Sequence, residues 1–344
     1  MIDFRYHLVS IVAVFLALAI GIVLGSTELQ GPAYNLLDKT TSKLQNELGQ
    51  VSSQRDAAQQ QATEGEMYAQ AVEPAVLHDL LAGQQLLIVT EPGAQSSVVS
   101  GISNAAVAAG ATVTGQINLQ PKFFDTSGTA QDSLNQTTQD VAQAAGLQLD
   151  SGTTYPQQAA QVIASEILTT SASSSAGKSA DQGTEASTML QAYAASQFLS
   201  TSGQPAKPAT LVVVVTPQNS PADGSADQLD QILIPLVTEL AAKSSATVVV
   251  GSSAGSGAGS PIAVLRSNNV SSQVSSVDDA DLVSGQTVAM QALAVGLAGG
   301  KAGSYGFTAN GAGAIAPSPA PSASASASAS ASATPNPTKK KVKK

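Results

Sequence analysis

The first strong pattern along the chain is an uninterrupted apolar stretch near the amino terminus. Between Tyr6 and Thr27, 22 residues contain no Asp, Glu, Lys or Arg. As a helix rising ~1.5 Å per residue, this stretch spans about 33 Å, which is enough to cross the hydrocarbon core of a bilayer. It predicts a retained single-pass signal anchor. A cleaved signal peptide is the alternative, but the small-residue pattern Ala17-Leu18-Ala19 lies inside the apolar run rather than after it.

The charges that flank this segment indicate its orientation. Arg5 precedes it and Glu28 follows it, and basic residues favour the cytoplasmic side of a membrane. We therefore expect residues 1–5 in the cytoplasm and a transmembrane anchor over 6–27. The rest of the chain is then expected outside the cytoplasm, in the cell envelope.

Within the anchor, small residues recur at every fourth position. They form one smooth helical stripe: Ala13, Ala17, Gly21 and Gly25. Such a stripe, which includes a GxxxG motif, lets two helix backbones approach closely in lipid. It predicts self-association of the anchor. The alternative is that small residues are merely frequent in this Ala-rich chain.

Apolar residues then follow a heptad pattern on a polar background, after a break expected at Gly31-Pro32. The a positions are Tyr34, Thr41, Leu48, Arg55, Ala62 and Ala69, and the d positions are Leu37, Leu44, Val51, Ala58, Gly65 and Val72. The first half is a credible coiled-coil seam, whereas Arg55 and Gly65 weaken the second half. The pattern predicts a self-associating coiled-coil stalk over 28–73. A single helix lying on the following domain is the alternative.

After Pro74, where a new element is expected, short apolar runs alternate with amphipathic stretches. Strands are expected at 85–90, 112–119, 210–215, 246–250 and 274–277. Helices are expected around His78 and at 96–109, 131–145, 156–168, 184–199, 226–243 and 286–297. Continuous apolar runs such as QLLIVT and TLVVVV are typical of strands that are buried on both faces of a parallel sheet. The fold class predicted for 74–313 is therefore α/β, a doubly wound, mostly parallel, Rossmann-like domain.

The last segment, 314–344, is a Pro/Ala/Ser repeat that ends in a cluster of lysines. It has too little apolar surface to fold and is expected to be disordered. The lysines of the cluster are Lys339, Lys340, Lys341, Lys343 and Lys344. Anionic wall polymers or lipids are candidate partners for them, and a solubilising tail without a partner is the alternative.

Charge excludes one class of partner for the rest of the chain. The whole chain carries a net charge of −9, from 15 basic and 24 acidic residues. Without the five terminal lysines, residues 1–338 have 10 basic against 24 acidic residues, a net charge of −14. A body this acidic is not expected to bind nucleic acid.

Composition also limits the chemistry available to a single chain. Cys is absent, the histidines are His7 and His78, and there are four methionines. This excludes disulfides, thiolate metal sites, a Cys nucleophile and a His-rich or Met-rich metal cage within one chain. No cofactor is expected.

One sequence pattern is associated with a nucleophilic serine. The segment Gly251–Gly255 matches G-x-S-x-G with Ser253 at its centre. In that arrangement a His follows the Ser in chain order, but no His follows His78. The Gly/Ser-rich stretch also fails the phosphate-binding pattern G-x-G-x-x-G, because Ser260 takes the place of its last Gly. A flexible surface loop is favoured, and we expect the protein not to be an enzyme.

Three acidic residues follow the last expected strand: Asp278, Asp279 and Asp281. Open α/β sheets bind ligands beyond the carboxyl ends of their strands. Three carboxylates there could hold Mg²⁺ or Ca²⁺, which makes these residues candidates for a ligand or hard-metal site. The alternative is a solvated loop in which Asp281 or Ser284 caps the next helix.

Phe4-Arg5-Tyr6-His7 and Gly21–Ser26 frame the apolar segment. Together they resemble the signature of the actinobacterial copper transport protein B family, MctB. The resemblance continues through the heptads and QLLIVTEPG to Val274–Gln286 and Gly303–Gly306, covering residues 1–308. It implies an envelope protein with a role in copper efflux or homeostasis, proposed to form a channel across the outer membrane. Copper as a partner rests on this resemblance alone.

Two classes of function follow from the sequence. The first is copper transport or export, either directly or as part of a channel. The second is a membrane-anchored coiled-coil scaffold in the envelope, whose α/β domain binds a partner or a small ligand. A change in copper tolerance on deletion of the gene would distinguish the first class from the second.

Overall fold

The computed structural model describes residues 4–170, 180–218, 229–253 and 259–306. At residue 4 and at 26–36, 180–182 and 229–230 the description is of the backbone only. The disorder predicted for 314–344 and the five terminal lysines lie outside the described residues. The chain divides into two compact units, residues 1–65 and 66–344.

A single helix, α1 (Phe4–Leu77), contains both the apolar segment and the heptad segment. Its stretch Arg5–Gly25 has a mean hydropathy of 2.9 and is the one span among the described residues that is long and apolar enough to cross a membrane. The side chains described at 5–25 and 37–65 are all exposed. The apolar side chains of this first unit are therefore available to lipid or to another protein.

The helix differs from the sequence prediction at two prolines. A break was expected at Gly31-Pro32, but α1 is helical through both residues. Pro74, expected to begin a new element, lies in the last turn of α1, and His78 lies in the turn that follows rather than in a helix of its own. A proline inside a helix removes one backbone hydrogen bond, and its ring crowds the carbonyl group four residues earlier, at a cost of about 3 kcal/mol. The hydrogen bonds of neighbouring turns are enough to continue a helix of this length.

In the part of the second unit that the structure describes, the core is a seven-stranded sheet. Its strands are β1 (Gln85–Thr90), β2 (Thr112–Leu119), β3 (Leu199–Gly203), β4 (Leu211–Val215), β5 (Ala246–Val250), β6 (Ser275–Val277) and β7 (Ser304–Tyr305). The spatial order is β3-β2-β1-β4-β5-β6-β7. All neighbours are parallel except β2 and β3, which are antiparallel. This confirms the mostly parallel α/β fold predicted from the sequence.

Helices cover both faces of the sheet. They are α2 (Ser96–Ala108), α3 (Gly128–Ala144), α4 (Tyr155–Ile167), α5 (Ala180–Ala195), α6 (Ile234–Lys243), α7 (Pro261–Ser267) and α8 (Val283–Leu297). Leu87 and Val89 of β1 join a core cluster with α3 to α7, whereas Leu86 and Ile88 join one with α2, α8 and Leu77. Successive strand residues point to opposite faces. Because both faces are covered, the central strands β1, β4 and β5 carry mostly apolar residues on both faces.

Two edge strands were not predicted. β3 has only its first residue, Leu199, buried, and the helix expected to reach Leu199 ends at Ala195. β7 is two residues long. Short or polar edge strands have little hydrophobic periodicity, so the sequence offers no pattern to detect. They pair with neighbours that are distant in sequence.

Candidate functional site

Polar residues gather where the parallel strands end. β1, β4, β5 and β6 are parallel, so their carboxyl ends lie along one edge of the sheet. The residues that follow them are Glu91, Thr216, Ser252 with Ser253, and Asp278 with Asp279. From β1 the chain continues to β2 on one side, whereas from β4 it continues to β5 on the other. Ligands of open α/β sheets bind at this kind of reversal point. We call these residues the carboxyl edge.

A buried ion pair lies at one end of the carboxyl edge. Arg266 of α7 contacts Asp278 with 2.6 Å between Nη1 and Oδ2, and the two side chains are 5% and 0% exposed. Arg266 also donates from Nε to Ser276 Oγ at 2.9 Å and from Nη2 to the Tyr305 carbonyl oxygen at 2.6 Å. Removing either charge would leave its partner buried and uncompensated. Arg266 therefore links α7 to β6, to β7 and to Asp278 just beyond β6.

Two glycines make room for the neighbouring carboxylates. Gly306 has a φ of +120°, and a Cβ there would collide with the carboxyl group of Asp278. A Cβ on Gly285 would collide with the main-chain oxygen of Asp279. Both glycines belong to segments that carry the family resemblance, Val274–Gln286 and Gly303–Gly306. At both positions a glycine is needed because a side chain would collide with Asp278 or Asp279.

Asp279 is the acidic residue of this region that is buried without an ion-pair partner among the described residues. It is 1% exposed, and its Oδ1 has no hydrogen-bond partner among them. Burial, together with the nearby charges of Asp278, Asp281 and Glu66, raises the pKa of Asp279 to about 6. A carboxyl group in this environment binds a proton near neutral pH more readily than an exposed Asp does.

Two further carboxylates near Asp279 accept hydrogen bonds, Asp281 from the segment after β5 and Glu66 from the start of α8. Asp281 accepts hydrogen bonds from the Ser253 backbone N at 2.8 Å and from Ser253 Oγ at 2.9 Å. Glu66 Oε2 accepts from the Val283 backbone N, the first residue of α8, at 2.8 Å. The expectation that Asp281 or Ser284 caps this helix is therefore wrong. The cap comes from α1, more than two hundred residues earlier in the chain.

The three aspartates predicted as a ligand or hard-metal site are neighbours with different contacts. Asp278 pairs with Arg266, Asp281 pairs with Ser253, and Asp279 has the unpartnered oxygen. Within the described ranges, no three His, Asp or Glu side chains are arranged to hold a metal ion. The geometry thus supplies no set of ligands to which a metal could be assigned.

Glu91 is a second buried carboxyl group, and sequence reasoning did not single it out. It follows β1 at the reversal point and is 4% exposed, and its Oε1 lacks a hydrogen-bond partner among the described residues. Burial raises the pKa of Glu91 to about 8. The only sequence signal was an acidic residue placed directly between a buried strand and the turn Pro92-Gly93. Gly93 has a φ of +86°, and a Cβ built on it would lie 3.4 Å from the Cβ of Pro217, which follows β4.

The side chains that copper favours do not converge in the part of the second unit that the structure describes. Met189 packs in the core cluster on one face of the sheet and Met290 in the cluster on the other. Met67 is 58% exposed, and His78 is an exposed residue paired with Asp79 at 3.2 Å. Copper(I) prefers soft thiolate and thioether ligands. The fold separates the few such ligands that this unit has.

Comparison with known proteins identifies relatives over nearly the whole chain. The family described as a copper transport outer membrane protein, MctB, matches residues 1–317. The copper transporter MctB of Mycobacterium tuberculosis is 28% identical over 318 residues, which cover 91% of this chain and 98% of the relative. The copper transporter MctB of Mycobacterium leprae is 26% identical over 311 residues, covering 89% and 96% of the two chains. The similarity therefore includes the apolar helix, the heptads and the α/β unit.

Proposed function

The chain belongs to the MctB family of copper transport proteins, and on that premise we propose that it is a membrane-anchored envelope protein of copper efflux or copper homeostasis. The observation that carries this proposal is the family match over residues 1–317. A match over a single segment would have supported only a shared anchor or a shared fold. Here the family match covers the anchor, the stalk and the α/β domain together, so we expect the function shared with the family to need all three parts.

Membrane anchoring is the first part of the proposal. The support is the fully exposed apolar span Arg5–Gly25. Arg5 before the span and the acidic composition after it favour a cytoplasmic amino terminus and an extracytoplasmic domain. Protease added to spheroplasts should then digest the α/β unit. Digestion only after the cells are permeabilised would show the reverse orientation.

We further propose that copper is cargo of an assembly and is not held by a resident site of one chain. This is supported by the absence of Cys from the sequence and by the separation of Met189 and Met290 on opposite faces of the sheet. A conducting path between several chains would not need a dense ligand set in each chain. The protein would contribute architecture to transport and would not act as an enzyme.

The decisive experiment is genetic. Deleting the gene should lower copper tolerance and raise cell-associated copper, and the full chain should restore both. A chain without residues 1–27 should not restore them if anchoring is required. Zinc tolerance serves as the control for general envelope damage. Unchanged copper content in the deletion strain would contradict a role in efflux.

The second candidate is a coiled-coil envelope scaffold whose α/β domain binds a partner or small ligand without conducting metal. It is favoured by the position of the buried polar residues Glu91, Ser252 and Asp279 at the edge where open α/β sheets bind ligands. This candidate predicts that the deletion strain loses envelope integrity equally with and without added copper. A defect that appears only with copper would reject it.

A further inference from the structure

A cavity lies among the helices on one face of the sheet. It is bordered by the start of α3, the start of α4 and the short helical segment Leu229–Leu233, which leads into α6. Its volume is about 390 Å³, which is within the size range of small-ligand sites. We call it the α3–α4 cavity. Its lining joins segments that are distant in sequence, from Thr126 to Ile232.

The α3–α4 cavity is on the same side of the sheet as the carboxyl edge. Thr126 follows β2 and Gln231 follows β4, and both strands are parallel to β1, so the chain leaves both at their carboxyl ends. α4 ends beside the start of β4, where the Thr169 backbone N donates to the Ala209 carbonyl oxygen at 2.9 Å. The first residue of α4, Tyr155, therefore lies toward the carboxyl side. Open α/β sheets bind their ligands on this side.

The floor of the cavity is apolar and one wall is aromatic. Pro156 and Ile232 line it and are buried. Tyr155 is 39% exposed and lines the same cavity. A tyrosine ring offers an apolar surface together with a hydroxyl group. A ligand seated here would contact apolar surface on one side and water on the other.

Polar groups with unused hydrogen-bonding capacity surround this apolar floor. The side chains of Thr126, Tyr155 and Gln231 make no hydrogen bond to another described residue. Gln131 donates from Nε2 to the Asp125 carbonyl oxygen at 2.8 Å, so its amide oxygen remains available as an acceptor. Two hydroxyl groups and two amides are therefore available to a ligand.

These groups restrict the chemistry of the ligand. None of the described residues that line the cavity is charged, so a charged ligand would find no opposite charge there. A wholly apolar ligand would remove the hydroxyl and amide groups from water without replacing their hydrogen bonds. The ligand therefore needs both an apolar face and several neutral donors and acceptors.

We propose that the α3–α4 cavity binds a neutral saccharide. A sugar ring has a face of C–H groups that can lie on Tyr155 and Pro156, and it has hydroxyl groups that donate to and accept from Gln131 and Gln231. This proposal names a ligand for the α/β domain, which the second candidate function leaves open, and it is compatible with the first. The binding measurements contain no copper, so their failure would leave the copper role untouched.

The test uses the full chain in dodecylphosphocholine micelles, which contain no sugar. The probes are maltotriose, cellotriose and galactotriose at about 5 mM, because a few hydrogen bonds and one ring contact give a dissociation constant in the millimolar range. Saturation-transfer NMR should show transfer to the ring protons of a neutral probe. Trigalacturonic acid, the charged counterpart of galactotriose, should show none. Transfer to no neutral probe, or equal transfer to the charged one, overturns the proposal.

Two variants test whether the sugar occupies this cavity. Tyr155→Ala removes the ring and Gln231→Leu removes the amide, and each should weaken binding about tenfold. The controls Tyr68→Ala and Gln143→Leu remove exposed side chains of the same types outside the cavity. They should bind as the parent does. Equal binding by the cavity variants and the controls would reject the site.

A third variant reports on the cavity directly. The chain contains no Trp, so Tyr155→Trp introduces a single indole at the wall of the cavity. This variant keeps an aromatic surface for the sugar. Its fluorescence emission should shift when the neutral probe that binds the parent is added. An unchanged emission in a variant that still binds the probe would place the sugar elsewhere on the protein.

Discussion

Glu91 shows at the scale of one residue what burial does to a carboxyl group. Its pKa is raised from 4.5 to about 8 because the side chain is removed from water at the end of β1. Between these two values, the folded protein keeps a proton that the unfolded chain has released. The free energy of unfolding therefore falls as pH rises through this window. Below about pH 4.5 the penalty is absent, since both states are protonated.

The variant Glu91→Gln should remove this pH dependence, because Gln carries no titratable proton. The parent chain should lose stability between pH 5 and pH 8, whereas the variant should not. The difference between their free energies of unfolding should therefore grow by about 2–4 kcal/mol over this range, in favour of the variant. Thermal unfolding of the full chain in detergent, followed by circular dichroism, measures the change. The exposed Glu185→Gln is the control and should follow the parent. Parallel pH curves for all three proteins would contradict the burial of a neutral carboxyl group.

Gly306 is a second residue whose surroundings determine the effect of a substitution. The variant Gly306→Ala has to place a Cβ against the Asp278 carboxyl group at a φ of +120°. We expect a loss of about 1–3 kcal/mol from backbone strain, with a further loss from disturbing the Arg266–Asp278 pair. Gly299→Ala is the matched control, since Gly299 also has a positive φ, +76°, but open space around it. If both variants lose the same free energy of unfolding in denaturant, the Asp278 carboxyl group does not obstruct a Cβ at position 306.

At the scale of elements, α1 carries on one continuous helix the small-residue stripe and the heptads, two sequence patterns from which we predict self-association. The stripe Ala13, Ala17, Gly21 and Gly25 has nothing within 4 Å of a Cβ built on either glycine. Nothing among the described residues therefore explains why a glycine is needed at these two positions. A second helix in lipid would explain it, because small residues allow close backbone approach.

The double variant Gly21→Ile and Gly25→Ile should weaken this approach, because branched side chains would hold two backbones apart. In an Ala13→Cys background, we expect several-fold less disulfide-linked dimer in detergent. Val12→Ile and Val23→Ile form the control, on the opposite side of the helix. Undiminished cross-linking at position 13 would show that the small stripe is not a contact.

At the scale of the whole molecule, the distribution of charge separates an acidic body from a basic end. Five of the last six residues are lysines, after a body with a net charge of −14 over 1–338. These lysines lie outside the described residues, and their binding to anionic wall polymers or lipids stays a prediction. Each lysine near an anionic surface contributes about 1 kcal/mol at physiological salt.

Deleting residues 335–344 should lower binding of the full chain, held in detergent micelles, to anionic wall material. The loss should be largest at low ionic strength, because salt screens exposed charges. Sedimentation with wall material measures it, and a chain in which the five lysines are replaced by arginines should bind as the parent does. Equal binding with and without the lysines at low salt would leave only a solubilising tail.

The sequence by itself determined the features that depend on local periodicity. The apolar span, the heptads of α1 and the buried strands β1, β4 and β5 could be predicted because each satisfies its pattern within a short stretch of chain. The α/β class followed from their alternation. The family resemblance was carried by local motifs as well, and it was confirmed over residues 1–317.

Only the tertiary structure decided the features that join distant segments. Glu66 caps α8 across 217 positions of sequence, and Arg266 reaches Tyr305 across 39. β3 and β7 exist because a neighbouring strand offers hydrogen bonds to a chain with little apolar pattern of its own. The burial of Glu91 and Asp279 likewise depends on what packs around them. Sequence periodicity reports which face of an element is apolar, but the partner of a polar group is set by which elements the fold brings together.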